Sequence, residues 1–317
     1  MTQGIDPSAA RFLADLSRIQ TRAERAQRQI SSGRKVNVPS DDPDHLQVLL
    51  VTKSHLEEVT QIRTNLDCAK TEADTAEQVL AEAVKAMDQA AQIGVEGANS
   101  LKSPQSRDAL AVAVQGILER LVAMSGTGAG GRHLFSGDSD QVAPYTVDLA
   151  QPNGVSAYAG SAATREMMHP AGTRFALSKA AQEIFDSPEA GKNMFAAVNR
   201  LRLALENGPT VPMDDPAYET QLAAQSQAVA DGLLQVRSAR DHLSTELTYA
   251  GEVQNRVDEA IQFAHKLELR EQTALSNLQD ADLVAAALEV SQTSTHQAAA
   301  LGFRAMLPRT SLFDFLA

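Results

Sequence analysis

Two stretches of this chain contain no proline, one between Pro43 and Pro104 and the other between Pro216 and Pro308. Proline removes a backbone donor and clashes with the preceding helical turn, so proline-free runs of this length permit long unbroken helices. The aromatic residues follow the opposite rule. None lies between Phe12 and Phe135, and seven of the thirteen fall between Phe135 and Tyr218. A globular core ordinarily uses aromatic rings for their large buried area. Seams between long helices can be built from Ala, Leu and Val. The outer thirds of the chain therefore read as helices and the middle third as a compact insert.

Hydrophobic spacing supports this division. Phe12, Leu16, Ile19, Ala23, Ala26 and Ile30 alternate steps of four and three, the pattern of a heptad seam. Val59, Leu66, Ala73, Leu80, Met87 and Gly94 repeat every seven residues, and so do Ile62, Ala69, Ala76, Ala83, Ala90 and Gly97. This predicts one helix from Asp44 to Lys102, with Pro39-Ser40-Asp41-Asp42-Pro43 capping its start and Gly94, Gly97 and Ser103-Pro104 weakening and stopping it. A further helix through Leu110, Val114, Ile117, Leu121 and Met124 ends at Gly126–Gly131. Helix resumes near Asn193 and stops at Asn207-Gly208-Pro209. A long helix from Tyr218 to about Asn277 runs through Val229, Val236, Leu243, Ala250, Val257 and Ala264. The last helix carries Leu283, Ala287, Val290, Ser294 and Leu301 before Pro308.

The segment between the two helical halves holds Pro144, Pro152, Pro170 and Pro188, an Asn153-Gly154 turn and β-prone pieces such as Tyr145-Thr146-Val147. The expected fold is mainly α: long antiparallel helical rods, paired terminal coiled-coil helices and a small β-rich inserted domain. The expected divisions are a seam helix and capping loop over 1–43, a rod over 44–131, the insert over 132–190, a second rod over 191–277 and a C-terminal seam helix over 278–317.

The chain's 28 Lys and Arg residues against 40 Asp and Glu argue against a whole-chain nucleic-acid binder, whose affinity would come from neutralising phosphates. No run of about 18 apolar residues is present to insert into a membrane, and the first ten residues lack the pattern of a cleavable secretory signal. The single cysteine, Cys68, excludes an intramolecular disulfide. Gly126, Gly128 and Gly131 match G-x-G-x-x-G, but a helix rather than a strand feeds the motif, so a hinge is the better reading than a dinucleotide site. His242 and Glu246 lie one turn apart as metal ligands can, yet a zinc site needs three or four converging groups. Asp41, Asp42 and Asp44 lack the spacing of a calcium loop. Catalytic, cofactor and metal residues are therefore expected to be absent. Residues 1–40 carry a net charge of +4 and the remainder −16. Arg11, Arg18 and Arg25 flank Phe12, Ile19 and Ala26, where charges set helix pairing.

Several segments, in order along the chain, resemble one family. Ile30-Ser31-Ser32-Gly33-Arg34-Lys35-Val36-Asn37-Val38-Pro39-Ser40-Asp41-Asp42-Pro43 resembles the stretch after the first helix of flagellins and hook-associated proteins. Gly131-Arg132-His133-Leu134-Phe135-Ser136-Gly137, Tyr158-Ala159-Gly160, His169-Pro170-Ala171-Gly172 and the closing Ser311-Leu312-Phe313-Asp314 resemble the hook–filament junction members, the hook-associated proteins of type 3. The chain departs from that pattern at Arg240-Asp241, where Leu and Gly are usual.

The resemblance implies a non-enzymatic, extracellular flagellar subunit without cofactor, exported through the flagellar secretion channel without a cleaved signal. It also implies assembly as a ring of copies between the hook-side junction protein (hook-associated protein type 1) and flagellin, after contact with a flagellar export chaperone. A flagellin-type filament subunit is the alternative. Phe12, Leu16, Ile19, Ile30, Leu283, Val290, Leu301, Leu312, Phe313 and Phe315 are the expected assembly contacts.

Overall fold

The computed structural model describes residues 7–98 and 104–306. The chain is mainly α, with helices α1 Pro7–Ser32, α2 Leu46–Gly97, α3 Pro104–Ser125, α4 Ala181–Phe185, α5 Met194–Glu206, α6 Tyr218–Gln279 and α7 Leu283–Met306. Its sheets are two antiparallel hairpins, β1 Gly128–Ala129 with β2 Arg132–His133 and β3 Glu166–Met168 with β4 Arg174–Ala176. Contacts divide the chain into two units, one from the described residues of 1–60 and 266–317, the other from those of 61–265.

In the first unit α1 and α7 pack against each other. They run antiparallel: Arg304 stands over the Phe12 ring, Arg22 meets Glu289, and Arg34 bridges to Asp280. Gly33 ends α1 in the left-handed region (φ 70°), with its N–H on the Gln29 carbonyl at 2.9 Å. A side chain there would be strained, so glycine closes the helix. The chain then bonds back to the end of α6, Lys35 N–H donating to the Gln279 carbonyl and Ala281 N–H to that of Gly33.

In the second unit α2 and α6 are antiparallel: Lys70 pairs with Asp258, Asp74 with Gln254, and Asp88 with Arg240. Between them lie the spaced residues of the sequence. Leu66, Ala73, Leu80 and Met87 of α2 are buried, as are Val229, Val236, Leu243, Ala250, Val257 and Ala264 of α6. Small Ala positions let the two backbones approach, which is why no aromatic ring is needed along this seam.

The aromatics collect where the insert meets the helices. Phe135, Phe185, Phe195 and Tyr145 stack edge or face at 5.1–6.0 Å between centroids. These rings share one core with residues of α2, α3, α5 and α6. Asp186 anchors the same region, accepting hydrogen bonds from Tyr145 Oη and from the side-chain amides of Asn153 and Asn193. Burial and the neighbouring Asp186 push the Tyr145 hydroxyl well above its ordinary pKa, so it stays a donor.

Several local expectations change. Helix α2 begins at Leu46 and its described part ends at Gly97, rather than running from Asp44 to Lys102. Gly94 and Gly97 do not weaken it: both are buried, and a Cβ on Gly97 would strike Leu205 of α5. The glycine cluster is a tight hairpin instead of a hinge. Gly130 and Gly131 have φ of 60° and 79°, as a two-residue primed turn demands, and β1 pairs with β2 across it. Asp41 accepts from the N–H groups of Asn37 and Val38 in the loop before α2, at 2.9 and 3.0 Å, so it braces that loop. Asp42, not Asp41, reaches His45 at the helix start.

Candidate assembly surface

On α1 the side chains from Phe12 to Ala26 of the spaced series are wholly or partly covered. Ala26 is buried, and Phe12, Leu16, Ile19 and Ala23 are each half-buried, so α7 shields them without enclosing them. Ile30, at the end of the series, is exposed.

Helix α7 is rotated from its expected face. Its buried residues are Ala286 and Thr293, with Glu289, Val290, Gln297 and Ala300 half-covered on the same side. The physical reason is volume. The facing stripe of α1 already supplies Phe12, Leu16 and Ile19, so the small residues of α7 let the helices approach. Thr293 satisfies its buried hydroxyl by donating to the Glu289 carbonyl at 2.7 Å. Of the expected contacts on α7, Val290 therefore borders the covered face, while Leu283 and Leu301 remain 52% and 49% exposed. Leu312, Phe313 and Phe315 lie outside the described residues.

What the α1 pairing leaves open is the larger side of α7. Leu283, Val284, Leu288, Leu301, Phe303 and Met306 are all exposed, Phe303 by 70%. Scattered surface leucines are ordinary, but these are six large exposed apolar side chains on one 24-residue helix. Spacing could have revealed this second face, since Val284 and Leu288 fall beside the Leu283–Leu301 series.

Ion pairs border the α1–α7 contact and the loop after α1. Arg22 Nε donates to Glu289 at 2.7 Å. Arg25 reaches the Asp41 carbonyl at 2.5 Å and its carboxylate at 3.9 Å. Burial of the Asp41 carboxyl raises its pKa, but the Val38 and Asn37 N–H groups with Arg25 and Arg28 outweigh this and hold it below the usual value.

No group of three or more His, Cys, Asp or Glu among the described residues is placed to hold a metal. Among them no helix is long and apolar enough to cross a membrane. Cys68 is exposed on α2.

Residues 8–140 match the family model of the bacterial flagellin N-terminal helical region. Over that stretch this chain is similar to the N-terminal helical region of bacterial flagellins. Flagellar hook-associated protein 3 of Escherichia coli K12 is 25% identical to this chain over 236 residues, covering 69% of it and 71% of the relative. FlgL of Xanthomonas campestris superposes with a TM-score of 0.60 at 17% identity, over 71% of this chain and 99% of that one. The flagellar junction protein FlgL of Legionella pneumophila gives 0.56 at 15% identity, over 67% and 99%. The likeness to these solved structures is one of fold. The flagellin-like match begins in α1 and runs through α2, α3 and the first hairpin into the insert.

Proposed function

We propose that this chain is a structural, non-enzymatic subunit of the bacterial flagellum, forming the junction between hook and filament by helix packing in a tubular assembly. The observation that carries this reading is the two-sided α7, whose small residues pack on α1 while its large apolar residues face outward. A helix built this way is finished only by a second partner. Covering one large aliphatic or aromatic side chain contributes about 1.5–3 kcal/mol, so a few per interface supply several kcal/mol. Repetition around a ring multiplies that through avidity. Similarity to a hook-associated protein 3 and to a flagellar junction protein supports the same place in the flagellum.

The partners that follow are other copies of the chain in a ring, hook-associated protein type 1 on the hook side, flagellin on the filament side, and a flagellar export chaperone before assembly. The site of action is extracellular, reached through the flagellar secretion channel without a cleaved signal peptide. No step requires a cofactor, nucleic acid or membrane insertion.

Deleting residues 1–35 removes the stripe that shields α7. The truncated protein is expected to keep a folded 61–265 unit and to lose incorporation into flagella. Incorporation at the wild-type level would overturn the reading. Spontaneous growth of long filaments from the purified full chain would favour a flagellin-type filament subunit instead.

A further inference from the structure

A cavity of about 500 Å³ lies in the second unit where Lys179, α4 and the segment after α4 meet α6. The His242 side chain, 11% exposed, lines it. Its Nε2 stands 3.1 Å from the Glu183 carbonyl oxygen. A carbonyl only accepts, so in the neutral ring Nε2 carries the hydrogen and Nδ1 presents a lone pair. That Nδ1 is 4.0 Å from Oε1 of Glu246, one helical turn along α6. The Glu246 carboxylate is 7% exposed and is held by Lys179 Nζ at 2.9 and 2.7 Å. The neutral ring thus turns a lone pair toward a buried anion.

The other charges around His242 come from each element packed there. Glu183 lies on α4, and Glu189 and Lys192 follow it and pair with each other. Asp241, on α6 itself, is exposed and paired with Arg240 at 3.1 Å. The cavity wall therefore sets three carboxylates, Glu183, Glu189 and Glu246, against the two ammonium groups of Lys179 and Lys192. One further positive charge balances it.

We propose that His242 is a proton-operated latch between the 179–192 segment and α6. A proton taken up from the solvent at Nδ1 makes an imidazolium that keeps its Nε2–H bond to the Glu183 carbonyl and sets a positive charge 4.0 Å from Oε1 of Glu246. The two elements are then joined by a charged bridge that the neutral ring cannot make. Mild acid tightens the docking of this segment.

The test is hydrogen exchange of the full chain at about pH 7.5 and at about pH 5.5. After correction for intrinsic exchange, protection of amides 179–192 is expected to rise about fivefold in the wild type. The rise is expected to vanish in His242→Gln, whose amide still donates to the Glu183 carbonyl. An equal rise in both proteins, or none in the wild type, overturns the latch. Ring-nitrogen NMR of the wild type gives a check that needs no variant. The neutral ring is expected as the Nε2–H form, and the Nδ1–H form would contradict the proposal.

Discussion

Arg22 of α1 and Glu289 of α7 meet at 2.7 Å, while Leu288, the residue beside Glu289, points into solvent. The ion pair thus marks the border between the face α7 gives to α1 and the face it keeps free. Exchanging the two charges tests whether the pair sets alignment. Arg22→Glu alone and Glu289→Arg alone each place like charges together and are expected to loosen α1 and α7, read as faster amide exchange in both helices. The double exchange restores the attraction and the protection.

The outward face makes a sharper prediction. Leu288→Asp replaces an exposed residue, so the stability of the isolated chain is expected to change by no more than about 0.5 kcal/mol. Incorporation into flagella is expected to fall to background. Ala286→Asp, on the covered face, is expected to destabilise the helix pair itself. Thermal melts separate the two variants, and assembly assays alone do not.

Why one face of α7 was legible and the other was not follows from the residues. Leu283 and Leu301 lie on a heptad series, and hydrophobic spacing selects the largest side chains. Ala286, Thr293 and Ala300 form a second series at the same period, silent because small or hydroxylated residues add little hydrophobicity. Which series meets α1 depends on how much volume α1 already supplies, a property of the pair. By contrast, Val59, Leu66, Ala73, Leu80 and Met87 could be read directly, because α2 has one dominant apolar stripe and all five are buried. The glycines at 126–131 read as a hinge in the sequence but form a hairpin. Positive φ at Gly130 and Gly131 decides it, and composition carries no record of φ.

Two glycines of α6 are expected to respond oppositely to the same change. A Cβ on Gly251 meets nothing within 4 Å, so Gly251→Ala is expected to stabilise the second unit by about 0.5–1 kcal/mol through helix propensity. A Cβ on Gly232 would lie 3.2 Å from Leu201 Cα, a backbone atom of α5 that cannot swing aside. Gly232→Ala is expected to destabilise by about 1–3 kcal/mol. Denaturant titrations of the two variants give the signs.

Asp41 ties the first unit to pH. Its folded-state pKa is lowered, so its stabilisation is complete above the ordinary carboxyl value of about 3.9 and is lost as pH falls through the folded-state value. Asp41→Asn removes charged acceptance from the Asn37 and Val38 N–H groups and is expected to cost about 1–2 kcal/mol at neutral pH. The difference from the wild type should vanish in stronger acid. A variant as stable as the wild type at neutral pH would show that the loop needs no brace.

The most direct test of the central claim, that this chain joins hook to filament, is electron microscopy of cells lacking it. Hooks without filaments, with flagellin shed into the medium, are the expected result. Cells that still carry filaments of normal length on their hooks would contradict it.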